Sequence, residues 1–90
     1  MATYTLYIGA DNESGAIDLD RIARIVGKRH EGFTLLPATG YWRGQREDSC
    51  VVIIGGSHST YEIIETIADL RSELRQDAIG YQQVAELQFA

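Results

Sequence analysis

The sequence predicts a single α+β domain over residues 1–90, with the element order β-α-β-β-α-β. Three observations lead to this order. Short stretches with alternating apolar residues are typical of strands, two stretches with apolar residues three and four positions apart are typical of helices, and Gly, Asn, Asp or Ser separates them. Right-handed crossovers then place both helices on one face of a four-stranded antiparallel sheet with strand order 4-1-3-2, the ferredoxin-like arrangement.

The first strand covers Thr3–Gly9, where apolar and polar side chains alternate. The loop at residues 10–17 contains Asp, Asn, Ser and Gly, and we expect its acids, Asp11 and Glu13, to be exposed. The first helix begins after the N-cap Asp18, and its apolar face is formed by Leu19, Ile22, Ala23 and Val26. It ends either at Gly27 or within residues 28–30.

The middle of the chain predicts a β-hairpin. Its first strand covers Phe33–Trp42 and contains Pro37, which cannot donate a ladder hydrogen bond, so this strand lies at an edge or carries a bulge. The polar residues 43–48 predict a turn around Gly44, and the returning strand covers Ser49–Ile54.

The second helix follows Ser59, which has capping-box spacing to Glu62. Its apolar face is formed by Ile63, Ile67, Leu70 and Leu74. Gly80 precedes the last strand, which covers Tyr81–Phe89.

The third strand is apolar on both faces. One face is covered by the helices, and a face that meets water should be polar. Burying such a patch is worth roughly 25 cal/mol per Å² of apolar area, and a chain of this length buries only a modest core. We therefore expect another copy of the chain to cover the second face, although an apolar strand in a monomer is the alternative. The apolar residues of that face are Tyr7, Val51, Ile53 and Val84.

Composition narrows the range of functions. Eight basic against thirteen acidic residues give a net charge of −5, which argues against binding nucleic acid or an anionic membrane. No apolar run approaches the roughly 20 residues of a membrane span, and no targeting segment is visible. The single Cys50, in a predicted strand, fits a reducing cytoplasm, where we expect the protein. With two histidines and one cysteine, no metal site and no cofactor is predicted.

The hairpin motif "GYWRGQREDSCVVII" resembles the PII and CutA type of trimeric ferredoxin-like proteins. The similarity consists of an aromatic pair, then a turn with basic and acidic residues, and then an acid before an apolar strand. The residues that carry it are Tyr41, Trp42, Gly44, Glu47, Asp48 and Ser49. The resemblance implies a homotrimer with small-molecule sites between subunits.

The same hairpin is similar to phage S-adenosylmethionine lyases, which also form trimers of this kind. The similar residues are Thr39, Gly40, Tyr41, Arg43 and Glu47. In that family an acidic residue and a tyrosine between subunits are important, and this resemblance implies catalytic roles for Glu47 and Tyr41.

The remaining candidate residues are ligand-binding. Trp42 offers a flat apolar surface for adenine or a cation, Arg43 and Arg46 suit a phosphate or carboxylate, and Glu86 suits a cation. Tyr7 adds apolar surface on the open face. His58, in "GGSHST" before the second helix, is a candidate base without an evident partner, and the loop itself lacks the Lys and spacing of a phosphate-binding loop.

Three functions remain open. The first is a binding module that senses or sequesters a nucleotide-like metabolite between subunits. The second is an S-adenosylmethionine lyase, which needs little acid–base machinery because the reaction is intramolecular. The third is a structural or interaction protein without a ligand.

Overall fold

The computed structural model describes residues 2–11, 14–56 and 59–84. Two helices pack on a four-stranded antiparallel sheet with strand order β2-β3-β1-β4, which confirms the predicted fold and strand order. The elements in chain order are β1 (Thr3–Gly9), α1 (Leu19–Gly27), β2 (Thr34–Trp42), β3 (Gln45–Ile54), α2 (Thr60–Leu74) and β4 (Gly80–Val84). The predicted extension of the last strand over residues 85–89 lies outside the described residues.

The core lies between the helices and one face of the sheet. Alternation in β1 and β3 turns every second side chain toward the helices, where the apolar faces of α1 and α2 exclude water from them. The fully buried apolar members are Leu6, Ile8, Cys50, Val52, Ile54, Ile22, Ile25, Val26, Ile63 and Leu70. Cys50 is fully buried on the inner face of the third strand, where it pairs in register with Ile8.

Both predicted N-caps are present. The Asp18 carboxylate accepts a hydrogen bond from the Arg21 backbone N–H at 3.0 Å, and the Ser59 hydroxyl accepts one from Glu62 N–H at 3.2 Å. Each satisfies an amide that the first helical turn leaves without an intrahelical acceptor. α1 ends at Gly27, the earlier of the two predicted ends. No helix among the described residues is long and apolar enough to cross a lipid bilayer.

The hairpin is longer than predicted because β3 begins at Gln45 and not at Ser49. Only Arg43 and Gly44, both at positive φ, form the turn. β1 pairs with β3 no further than Ser49, so residues 39–48 form a two-stranded extension that we call the arm. Pro37 lies on β2, which is an edge strand, as one of the two predicted alternatives requires.

The sheet face turned away from the helices, the open face, is almost uncharged. Residues paired across neighbouring strands share a face, so the register identifies its members. Among the described residues, Glu47 is the only charged one on this face, and Thr3, Thr5, Tyr7, Gly9, Thr34, Leu36, Ala38, Gly40, Trp42, Gln45, Ser49, Val51, Ile53, Gly80, Gln82 and Val84 are neutral. Several of the apolar members are substantially exposed, including Tyr7 at 47%, Leu36 at 45% and Val84 at 37%.

Candidate functional site

A cavity of about 430 Å³ lies where the arm leaves the sheet. Its size falls within the range of about 300–1,000 Å³ that is common for small-molecule sites. β1 contributes Tyr7 and Gly9, β2 contributes Tyr41 and Trp42, and β3 contributes Glu47. The structure therefore brings four of the predicted site residues, Tyr7, Tyr41, Trp42 and Glu47, to one cavity.

The two residues predicted to be catalytic approach this cavity differently. Gly40 pairs with Glu47 and Tyr41 pairs with Arg46, so the register places Glu47 on the open face and Tyr41 on the opposite face of the arm. Tyr41 is 70% exposed. The carboxylate of Glu47 lies over two glycines, with Oε1 3.5 Å from the position that a Cβ on Gly9 would take and 3.7 Å from that position on Gly40. A Cβ at either position would be in ordinary van der Waals contact with this carboxylate.

Trp42 and Arg43 form a pair at the end of the arm. The guanidinium carbon of Arg43 lies 5.5 Å from the centroid of the Trp42 ring, within cation–π distance. Trp42 is nevertheless 68% exposed, so most of its surface is available to a ligand or another subunit. Arg43 has φ 51°, and this left-handed backbone together with Gly44 makes the tight turn possible.

Arg46 lies outside the cavity. It lines a polar groove of about 420 Å³ on the other side of Glu47, together with Ala10, Asp11 and Asp48. Glu47 lines both the cavity and this groove, so one carboxylate separates an aromatic space from a charged one. The predicted ligand residues of the hairpin are therefore divided between two neighbouring spaces.

Tyr7 and Cys50 complete the inner wall of the cavity. The hydroxyl of Tyr7 donates a hydrogen bond to Gln82 Oε1 at 3.0 Å, which fixes the ring against β4. Burial raises the pKa of the Cys50 thiol, which favours the neutral thiol.

Two predicted residues, His58 and Glu86, lie outside the described residues. Within the described part of the chain, no three His, Cys, Asp or Glu residues lie close enough together to hold a metal ion.

Sequence reasoning missed the residues that support the cavity from behind. Asp11, expected to be exposed, has a side chain only 13% exposed because it pairs with Arg75. Gln76 donates from Nε2 to the Ala10 carbonyl at 2.6 Å. These pairs join positions more than sixty residues apart, and no local pattern in the sequence indicates them.

Several solved structures of known proteins are similar in fold to this chain. A DUF3240 family protein from Shewanella baltica OS155 is similar with a TM-score of 0.64 at 15% identity, over 99% of this chain and 93% of that one. A phage S-adenosylmethionine lyase in its apo state gives a TM-score of 0.66 at 14% identity, over 98% and 84%. CutA1 from Oryza sativa gives 0.58 at 12% identity, over 100% and 84%.

These likenesses show that the chain has the PII/CutA-like fold that the hairpin motif indicated. No family model matches the chain, and no curated protein sequence matches it.

Proposed function

We propose that this chain forms a homotrimer that binds a small, nucleotide-like, cationic metabolite in the cavity beside the arm, at the subunit interfaces. The observation that carries the proposal is the open face, which exposes the apolar side chains of Tyr7, Leu36 and Val84 and has Glu47 as its single charge among the described residues. An apolar face of this kind is typical of a surface that another protein copy covers.

Covering the open face creates an electrostatic problem that a ligand solves. An identical copy presents the same described face, which offers no cation to Glu47. A buried carboxylate without a partner costs several kcal/mol. A cationic ligand in the cavity restores the balance, since it pairs with Glu47 in a site from which water is excluded.

The rest of the cavity suits a flat group. Tyr7 and Trp42 line it from the open face, and aromatic rings of this kind stack on nucleobases. The likeness in fold to CutA1 fits the self-association of the chain. A binding module of this kind senses or sequesters its ligand, and the lone buried cysteine fits the cytoplasmic location that we propose.

The test begins with an unbiased mass-spectrometric search for small molecules that co-purify with the protein. Calorimetry then compares cationic S-adenosylmethionine with the anionic probes ATP and cyclic AMP. We expect the cation to bind and Glu47→Gln to weaken it at least tenfold, which is about 1.4 kcal/mol. The control is Asp48→Asn, which removes a neighbouring carboxylate on the opposite face of the arm and should leave the affinity unchanged.

Equal affinity in the two variants would refute the role of Glu47. Tighter binding of the anions would refute a cationic ligand, and binding of none of the probes by the native trimer would favour a structural or interaction protein.

A second candidate function is S-adenosylmethionine lysis, and the likeness to the phage lyase, with a TM-score of 0.66, supports it. In this reaction the substrate's own carboxylate oxygen bonds to its γ-carbon while the carbon–sulfur bond breaks, and the electron pair stays on sulfur. The products are homoserine lactone and methylthioadenosine, and no external base is consumed. The protein would supply orientation, exclusion of water and the Glu47 carboxylate that holds the cation.

Product analysis separates the two functions. Appearance of both products with S-adenosylmethionine establishes the lyase, and binding without products establishes the module. If the chain is a lyase, Glu47→Gln should abolish turnover while the trimer persists. Undiminished turnover in that variant would refute the catalytic role.

A further inference from the structure

The end of α2 carries an unusual backbone. Arg75, the C-cap, has φ 54° and ψ 48°, the left-handed conformation that glycine usually supplies at this position. A non-glycine residue there costs about 1 kcal/mol or more. Such a residue persists when its surroundings fix it, and the outlier points toward a role for its side chain.

The side chain of Arg75 binds Asp11 through both carboxylate oxygens. Nε donates to Oδ2 at 3.1 Å, and Nη2 lies 3.0 Å from both Oδ1 and Oδ2. The next residue, Gln76, donates to the carbonyl of Ala10 at 2.6 Å. Two consecutive residues after α2 thus hold two consecutive residues after β1.

The held segment, residues 9–11, lies beside Glu47. Gly9 lines the cavity on one side of that carboxylate, while Ala10 and Asp11 line the polar groove on its other side. At the would-be Cβ position of Gly9, Glu47 Oε1 lies 3.5 Å away and Gln76 Oε1 lies 3.7 Å away. Any displacement of residues 9–11 therefore changes the space in which the Glu47 carboxylate sits.

We propose that Arg75 is a positioning residue, which holds residues 9–11 in place so that Glu47 has one fixed orientation in the cavity. The strained backbone directs the Arg75 side chain toward Asp11, and the bidentate pair offsets the strain. Fixed geometry matters here because a displacement of about 1 Å in a supporting shell can cost a site about a hundredfold. The consequence for ligand binding rests on the proposed function, but the positioning itself does not.

The sharpest variant is Arg75→Gly, because glycine removes the side chain and also relieves the left-handed strain. The fold should therefore survive, with a melting temperature close to that of the native chain. Arg75→Lys keeps the charge but loses the bidentate geometry, so its effects should be intermediate. Arg71→Ala is the matched control, since it removes an exposed arginine one turn earlier on the same helix.

Hydrogen exchange measures the positioning without any ligand. The Asp11 N–H donates to the Ala16 carbonyl at 2.9 Å and reports on the held segment. In Arg75→Gly we expect this amide to exchange at least tenfold faster, while the amide of Leu6 in the centre of β1 keeps its rate. The carboxyl carbon resonance of Glu47 should shift in the same variant. An unchanged Asp11 rate, or an unmoved Glu47 resonance, would overturn the proposal.

A ligand measurement then tests the consequence. With S-adenosylmethionine as the probe, Arg75→Gly should weaken binding at least tenfold, Arg75→Lys should weaken it less, and Arg71→Ala should have no effect. Unchanged affinity in Arg75→Gly would overturn the role of Arg75 in the site. If the native protein binds no probe, the cationic-ligand proposal fails, and the exchange rates and the Glu47 resonance alone decide whether Arg75 positions the segment.

Discussion

Replacing Leu36 by glutamate tests whether another copy covers the open face. Leu36 is 45% exposed and pairs in register with Val51 on that face, whereas Ile64 is 43% exposed on α2, on the other side of the molecule. In an isolated chain the two substitutions are equivalent, because each replaces a half-exposed apolar side chain and should change the unfolding free energy by less than about 1 kcal/mol.

In an assembly of several copies, the two substitutions differ in their effect on the free energy of association. At the interface, Leu36→Glu forfeits the burial of about half a leucine, roughly 1 kcal/mol, and adds an unpaired carboxylate at a cost of several kcal/mol. A total of about 4 kcal/mol weakens association roughly a thousandfold. Ile64→Glu incurs neither cost, because the open face alone is the proposed interface.

Light scattering across a range of micromolar concentrations measures the outcome. Three copies of a 10.0 kDa chain should give a particle of three times that mass for the native protein and for Ile64→Glu. Leu36→Glu should give the mass of one chain. Equal masses for the two variants, or a single-chain mass for the native protein, would refute the covered open face and the interfacial site with it.

Three further predictions concern stability and reactivity. The hydroxyl of Thr3, 5% exposed, has no hydrogen-bond partner among the described residues, so Thr3→Val should raise the unfolding free energy in urea by about 1 kcal/mol; a decrease would reveal a partner. Ser59→Ala should lower the same quantity by about 1 kcal/mol through loss of the N-cap, whereas Ser72→Ala within α2 should not lower it. Because burial raises the pKa of the Cys50 thiol, a thiol reagent at pH 8 should label the folded chain much more slowly than the urea-unfolded chain, and equal rates would contradict the burial.

The fold follows from local patterns that the sequence displays. Alternation in residues 3–9 identifies β1 because every second side chain there is buried in the structure. Ser59 and Asp18 mark the helix starts because their side chains satisfy backbone amides directly. The apolar third strand predicted Val51 and Ile53 on the face away from the helices, and the register confirms both.

The arm could not be predicted by the same means. Residues 45–48 are polar and resemble a turn, yet they pair with residues 39–42 because Arg43 and Gly44 close the hairpin at positive φ. Asparagine or aspartate before glycine is the usual signal for such a turn, and arginine in that position gives no such signal. Side chains alternate along the arm, so Tyr41 and Glu47 lie on opposite faces of it. A sequence reading that treats residues 43–48 as a loop cannot indicate this arrangement.

The support behind the cavity was also beyond sequence reasoning. Asp11 and Arg75 meet only because β1 and α2 end at the same edge of the molecule, 64 positions apart in the chain. An acid in a loop rich in Gly, Asn and Ser is typical of a solvated surface, and only tertiary packing reduces its exposure.

The arm is also the part of the protein that we expect trypsin to cut first. A ribbon of two strands without a third is marginally stable by itself, and it carries two exposed arginines, Arg43 in its turn and Arg46 just beyond. Trypsin cuts after arginine in chains that can open locally. If copies associate through the open face as proposed, these two peptide bonds should resist digestion in concentrated samples and be the first to be cut when dilution separates the chains.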